Sequence, residues 1–586
     1  MSDSLYGADF QQIYSNPGNP FPSPEDWRDC PIYFLMVDRF NNPNKAPNHQ
    51  PFDAPDFYAY QGGSFDGVRA QLGYIKNLGA RAIWLSPVLK NRINDEGSYH
   101  GYGIHDFLHA NPRFATIPAN ADDELRALVD ATHAVGLYVI FDIVLNHVGD
   151  MFAYGSGSQA PFSPTPLPIQ WRDAAGNARM DWPVIETIAQ PRPSDALVWP
   201  KELQFNAYFR RQGTPAPNGD DTVGDFASLK QLMTDNVAVQ NALIRAYQYV
   251  IARFDVDGFR IDTLRYLKGG LPLTFGNAIR EYALSIGKKN FFTFGEVWTA
   301  NSEAAIADFI GRNTNSGGDM VGVDAALDYP LFDALKPTVK GFSSPTSVVG
   351  MYQTRKGIEQ DILSSHGDAT RFFVTFLDNH DVKERLRHLG SAAEQPALDD
   401  EVTLGIACLA ALPGIPCVYY GTEQGLHGVG SDPAVREALW GGPGFNTAAK
   451  FYQEVAQILG VRQGEAAIRY GRFYFRQLSG NGTNFGFSTV SPGVLAFSRI
   501  LNDREVLTVA NFSKAVAQQL HVVVDSTLSP SGTTIETLYS NKSPTTAATA
   551  TEWLANAVVT QVDGSTSQGA CATLVTLAPG EVQILG

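Results

Sequence analysis

The chain reads as a (β/α)8 barrel with an irregular excursion after its third strand and an all-β domain at the C-terminal end. Three observations predict this. Eight apolar runs alternate with amphipathic stretches, residues 148–222 break that rhythm, and after about residue 466 the pattern turns to short β-type runs. Alternating strand and helix signals imply a parallel sheet with helices outside, and eight such units close a barrel.

The apolar runs fall at 32–38, 81–87, 137–147, 257–262, 291–298, 322–331, 371–381 and 414–423. They lack polar alternation, as strands buried on both faces do. Apolar residues at three- and four-residue spacing predict helices over 66–80, 122–136 and 235–254, with others near 274–287, 302–312, 347–363, 400–412 and 446–459. Residues 148–222 are rich in Pro, Gly, Ser and Trp and carry no helical pattern. A connection that long without regular structure is usually functional. The runs "RYGRFYFRQL", "VLAFSRIL", "EVLTVANF", "QLHVVVD" and "EVQILG" then predict a C-terminal β-sandwich. The expected division is therefore a barrel domain over 1–147 and 223–465, an excursion domain over 148–222, and a sandwich over 466–586.

Composition narrows the function. The 586 residues are 44% hydrophobic and 18% charged, so a large core is affordable, and the net charge of −16 argues against a nucleic-acid partner. No window offers about 18 consecutive apolar residues, so no membrane span is expected. The N-terminus shows no basic segment followed by an apolar one, which predicts a cytoplasmic chain. Cys30, Cys408, Cys417 and Cys571 have no metal-like spacing and are expected as buried thiols.

Chemistry gathers at strand ends, where barrels of this kind place their working residues. The third strand ends in Asn146-His147, the fourth in Arg260-Ile261-Asp262, the fifth in Glu296-Val297-Trp298 and the seventh in Asn379-His380-Asp381. Arg260 and Asp262 are two apart and share one strand face, opposite Phe259 and Ile261. Retaining glycoside cleavage needs one ionised carboxylate as nucleophile and one protonated carboxyl as general acid. Asp262 beside Arg260 suits the first role. Glu296, between "FFTFG" and Trp298, suits the second, because apolar surroundings disfavour ionisation. Asp381, His147 and His380 are expected to bind sugar hydroxyls.

At these residues the sequence resembles the α-amylase family of glycoside hydrolases. Its four short regions stand in order as "DIVLNH" (142–147), "GFRID" (258–262), "GEVW" (295–298) and "FLDNHD" (376–381), with "DRF", "YHGYGIHDF" and "YYGTEQ" beside them. The resemblance implies the same roles for Asp262, Glu296 and Asp381, and substrate contacts from Arg260, His147 and His380. It implies that Tyr102 stacks on the sugar next to the scissile bond. "GSDPAVR" is similar to a loop in cyclodextrin glucanotransferases, which implies sugar contacts from Asp432 and Arg436. The family's calcium ion would be held by Asn146 and Asp225, and no organic cofactor is implied. Arg265-Tyr266 stands where the family often has Lys-His, and Ser64 stands where a second metal site would need a carboxylate. No aromatic precedes Asp225 in "DDTVGDF", against cyclisation. Neither an extra N-terminal β-domain nor an appended starch-binding module is expected. The implied activity is hydrolysis of α-1,4-linked maltooligosaccharides or starch. Glucanotransferase action comes next, and then trehalose- or sucrose-directed chemistry or a non-catalytic carbohydrate-binding scaffold.

Overall fold

The computed structural model describes residues 3–48, 58–155, 157–300, 302–312, 320–359, 362–543 and 548–586. Its centre is one parallel sheet of eight strands: β1 (Ile32–Leu35), β2 (Ala82–Leu85), β3 (Tyr138–Val144), β4 (Gly258–Asp262), β5 (Phe292–Gly295), β6 (Ala325–Ala326), β7 (Val374–Thr375) and β8 (Ile415–Tyr419). The spatial order runs β6-β5-β4-β3-β2-β1-β8-β7. A parallel bridge from Leu327, one residue past β6, to Val374 of β7 closes the ring.

Strand β4 shows how the sequence sets the two faces. Phe259 points outward and packs on Tyr247, Phe275 and Phe291 at ring distances of 5.6, 6.5 and 5.0 Å. Arg260 faces the interior and lies in register with Asp142 on β3 and Phe294 on β5. Helix Val237–Phe254 covers this side; Asn236 caps its start by accepting from the Ala238 N–H, and Asp255 ends it in left-handed backbone at φ 60°.

Several elements differ from the sequence reading. The run at 322–331 holds only a two-residue strand and then the start of helix Tyr329–Val339, which Asp328 caps and Pro330 opens. An Asp followed by Pro two residues on is a helix start, so the apolar run was two elements. The helix over 66–80 is two short ones, Phe65–Ala70 and Leu72–Asn77, broken at Gln71. Ser64 is the N-cap of the first. Helix Ala8–Ser15 was not expected; its Phe10 stacks on Tyr249 at 4.6 Å.

Between β3 and helix Val237–Phe254 the described residues form two-residue ladders and 3-10 turns with no α-helix, around a knot of Phe152, Trp171 and Phe209. The C-terminal strands form an antiparallel sheet system with one parallel pair. Val494, Leu507 and Val509 pack against Val522, Val575 and Leu577 to form its core. The strands Thr534–Ser540, Ala548–Thr560 and Thr566–Leu577 were missed, since Thr and Ala give them little apolar signal. All four cysteines are free and buried. No described helix is long and apolar enough to cross a membrane.

Candidate active site

Arg260 is the hub. Its guanidinium is wholly buried and reaches three carboxylates: Nη1 donates to Asp142 Oδ1 at 2.8 Å and Asp262 Oδ1 at 2.9 Å, and Nη2 to Glu296 Oε2 at 2.8 Å. The β3/β4 register puts Asp142 beside Arg260, and β5 delivers Glu296 one residue past its end. Thr263 follows Asp262 in left-handed backbone at φ 47°. That unfavourable turn for a β-branched residue aims its N–H at Glu296 Oε2 (3.1 Å) and its hydroxyl at Asp262 Oδ2 (3.1 Å).

The opposite wall carries Asp381, which accepts from Arg436 Nη2 at 3.0 Å and lies 3.1 Å from His380 Nε2. Tyr102 donates to Asp142 Oδ2 at 2.8 Å and stacks parallel to His380 at 5.5 Å. Gly101 makes this possible: at φ 87° its missing Cβ would lie 2.1 Å from the Pro87 carbonyl. His147 Nε2 stands 4.0 Å from Asp262 Oδ2 and makes no close side-chain hydrogen bond among the described residues. Asp262, Glu296, Asp381, Tyr102 and His147, with Asp432 and Arg436, line one cleft of about 620 Å3. The structure thus brings together Asp262, Glu296, Asp381, Tyr102, His147, Asp432 and Arg436 around the cleft, with Arg260 and His380 directly behind. Arg436 bonds Asp381, the His380 carbonyl and Tyr99, so of the two residues expected to contact sugar only Asp432 is exposed.

Burial, opposed by Arg260, pushes Asp262 well above the usual carboxylate range, with Glu296 and Asp142 raising it further. Burial lifts Glu296 as well, again opposed by Arg260 and helped by Asp381. One guanidinium serves three carboxylates, so Arg260 does not single out Asp262 for ionisation as its sequence spacing suggested. The cluster retains a proton that isolated carboxylates would lose. Burial lifts Asp142 to about 6 and lowers His147 to about 4, leaving that histidine neutral.

Other residues in and behind the cleft were assigned no role from the sequence. Trp84 donates to Asp142 Oδ2 at 3.1 Å. Trp298 is half-exposed and stacks on Tyr329 at 4.7 Å. Phe226, immediately after Asp225, is exposed on the cleft wall and meets Tyr266 edge to face at 6.4 Å. In "DDTVGDF" the aromatic follows Asp225 and does not precede it.

The expected calcium pair does not fit. Asp225 Oδ2 accepts from Tyr154 Oη at 2.7 Å and from Lys230 Nζ at 3.3 Å, and Oδ1 from the Gln231 N–H at 3.0 Å. Asn146 Oδ1 accepts from Gln231 Nε2 at 3.3 Å. These oxygens face donors and an ammonium, whereas calcium wants about 6–8 free oxygen ligands. Among the described residues no three His, Cys, Asp or Glu side chains are grouped to hold a metal.

A barrel with carboxylates gathered at its strand ends is one architecture that glycosidases use. Residues 34–458 match the family model "Alpha amylase, catalytic domain", and the chain belongs to the α-amylase family of glycoside hydrolases. The α-amylase of Streptomyces lividans is 26% identical over 76% of this chain and 50% of its own length. The β/α-amylase of Paenibacillus polymyxa is 28% identical over 79% of this chain and 34% of its own. The chain thus spans half or less of these curated relatives. The cyclomaltodextrin glucanotransferase of Klebsiella oxytoca is 24% identical over 76% of this chain and 67% of its own. The α-amylase of Geobacillus thermoleovorans, solved with acarbose, matches with a TM-score of 0.67 and 25% identity over 96% of this chain and 99% of its own.

Proposed function

We propose that the protein is a retaining α-glucan hydrolase acting on α-1,4 bonds of maltooligosaccharides or starch. The observation that carries this reading is the carboxylate cluster of Asp262, Glu296 and Asp381 around one open cleft, with Arg260 bonded to the first two. In the proposed cycle Asp262 attacks the anomeric carbon while Glu296 gives its proton to the leaving glycosidic oxygen, and a glycosyl–Asp262 ester forms. Water, deprotonated by Glu296, then attacks the same carbon and releases Asp262, so two inversions give net retention. Asp381, His147 and His380 bind ring hydroxyls, more tightly as the ring flattens. Tyr102 stacks on the bound sugar, and Asp432 lines the cleft further out. We read Arg436 as the residue that holds Asp381 in place.

Transfer to a second sugar in place of water is the alternative. The exposed Phe226 and the half-buried Tyr266 on the cleft wall favour it by offering an apolar face to an acceptor. A time course of products from maltohexaose separates the two. Only shorter products support the hydrolase, whereas early products longer than the substrate support the transferase. No cleavage at all would refute both.

A further inference from the structure

We infer that the Lys230 ammonium is the structural cation of this protein, tying the excursion to the end of β3 and making the fold independent of calcium. Residues His147–Val148 pair antiparallel with Lys230–Gln231, with Val148 opposite Lys230 and His147 opposite Gln231. The Leu232 N–H adds a bond to the Asn146 carbonyl at 2.9 Å. This ladder is where the chain returning from the excursion meets the strand end that carries His147.

The Lys230 side chain is wholly buried. An ammonium there is costly unless its charge and its three donors are met. Nζ lies 3.3 Å from Asp225 Oδ2 and 3.7 Å from Asp150 Oδ1, and donates to the Ser158 carbonyl. The rings of Phe152 and Tyr154 face it at 5.1 and 4.7 Å, within cation–π range. Lys230 therefore clasps Asp150, Phe152, Tyr154 and Ser158 of the excursion from the β-ladder.

Charge closes the argument. Asp150 also pairs with Arg172 at 3.1 Å, and Arg92 Nη1 donates to its carbonyl at 2.5 Å, so the two carboxylates already meet their counter-charges. A divalent ion brought to Asp225 would sit against the ammonium and leave the pocket with excess positive charge. Gln231, next in the ladder, presents an amide whose Nε2 is turned toward Asn146 Oδ1. The oxygens that resemblance assigns to calcium are thus held by this chain's own donors.

The test is thermal unfolding of the whole chain, purified with calcium present and then dialysed against EDTA, together with its calcium content by elemental analysis. The proposal expects substoichiometric calcium and an unchanged Tm. Lys230→Met should lower Tm by several degrees, equally with and without added calcium. The double variant Lys230→Met, Asp225→Asn should recover part of that loss, because no buried carboxylate is left without a counter-charge. One calcium per chain whose removal lowers Tm would overturn the proposal. So would a Lys230→Met protein as stable as wild type, or a double variant no better than the single one. Should Lys230→Met fail to fold, the wild-type calcium content and EDTA arm still decide the matter.

Discussion

Replacing Arg260 by lysine probes the centre of the site. The guanidinium bonds Asp142, Asp262 and Glu296 at 2.8–2.9 Å. A lysine ammonium is a point charge on a flexible stem, without the planar fork that spans three acceptors. If it keeps one contact, two charge-assisted hydrogen bonds are lost at about 1.5–3 kcal/mol each. That is about 3–6 kcal/mol, or roughly 10²- to 10⁴-fold in kcat/KM at about 1.4 kcal/mol per tenfold. The pH dependence moves with it. Arg260 is the main influence lowering both Asp262 and Glu296 against burial, so weakening it raises both further. The acid limb of kcat/KM, where the nucleophile must lose its proton, should shift to higher pH. The assay is hydrolysis of a chromogenic maltooligosaccharide from pH 4 to 9, with Tm measured alongside. A folded variant within about threefold of wild type, with an unmoved acid limb, would refute the hub account.

Further outcomes follow from the same geometry. Asp262→Asn should cut kcat by at least about 10⁴-fold while the far-UV spectrum and Tm stay near wild type. Glu296→Gln should flatten the alkaline limb of the residual activity, because the group whose lifted pKa sets that limb no longer titrates. Asp142 tests linkage. With its folded pKa raised from 3.8 to about 6, its contribution to stability is fully present below pH 3.8 and is lost as pH rises through about 6. The Tm of Asp142→Asn should therefore gain on wild type between pH 4 and 7, even as activity falls. Trp298→Ala removes an exposed ring stacked on Tyr329 and should raise KM for long substrates by roughly 2- to 10-fold, the equivalent of a lost aromatic contact. Burial pushes the Cys408 thiol up to about 12, so it should resist alkylation at neutral pH until the chain unfolds.

The barrel was legible because its strands are apolar on both faces, and the strand ends because charged residues interrupt those runs at fixed offsets. Arg260 and Asp262 could be placed on one face from their spacing alone. Their partner Asp142 could not be assigned a role, since its bond to Arg260 depends on the β3/β4 register, which no local pattern encodes. The same limit applies to Lys230: its neighbours Asp150, Ser158 and Asp225 meet only once the excursion folds back. The helix Tyr329–Val339 was missed for a different reason. Apolar residues run on from β6 into its first turn, and only the Asp328 cap and Pro330 mark the boundary. Long C-terminal strands rich in Thr and Ala escaped because one face is solvated and Ala, Thr and Cys interrupt the apolar residues on the other.

The central claim is that Asp262 forms a covalent bond to the sugar. The most direct measurement is mass spectrometry of the digested Glu296→Gln variant after incubation with an activated fluorinated maltosyl substrate, which slows turnover of the intermediate. The account predicts one added glycosyl mass on the peptide containing Asp262. Product released with no adduct on that peptide, or an adduct on Asp381 or another residue, would contradict it.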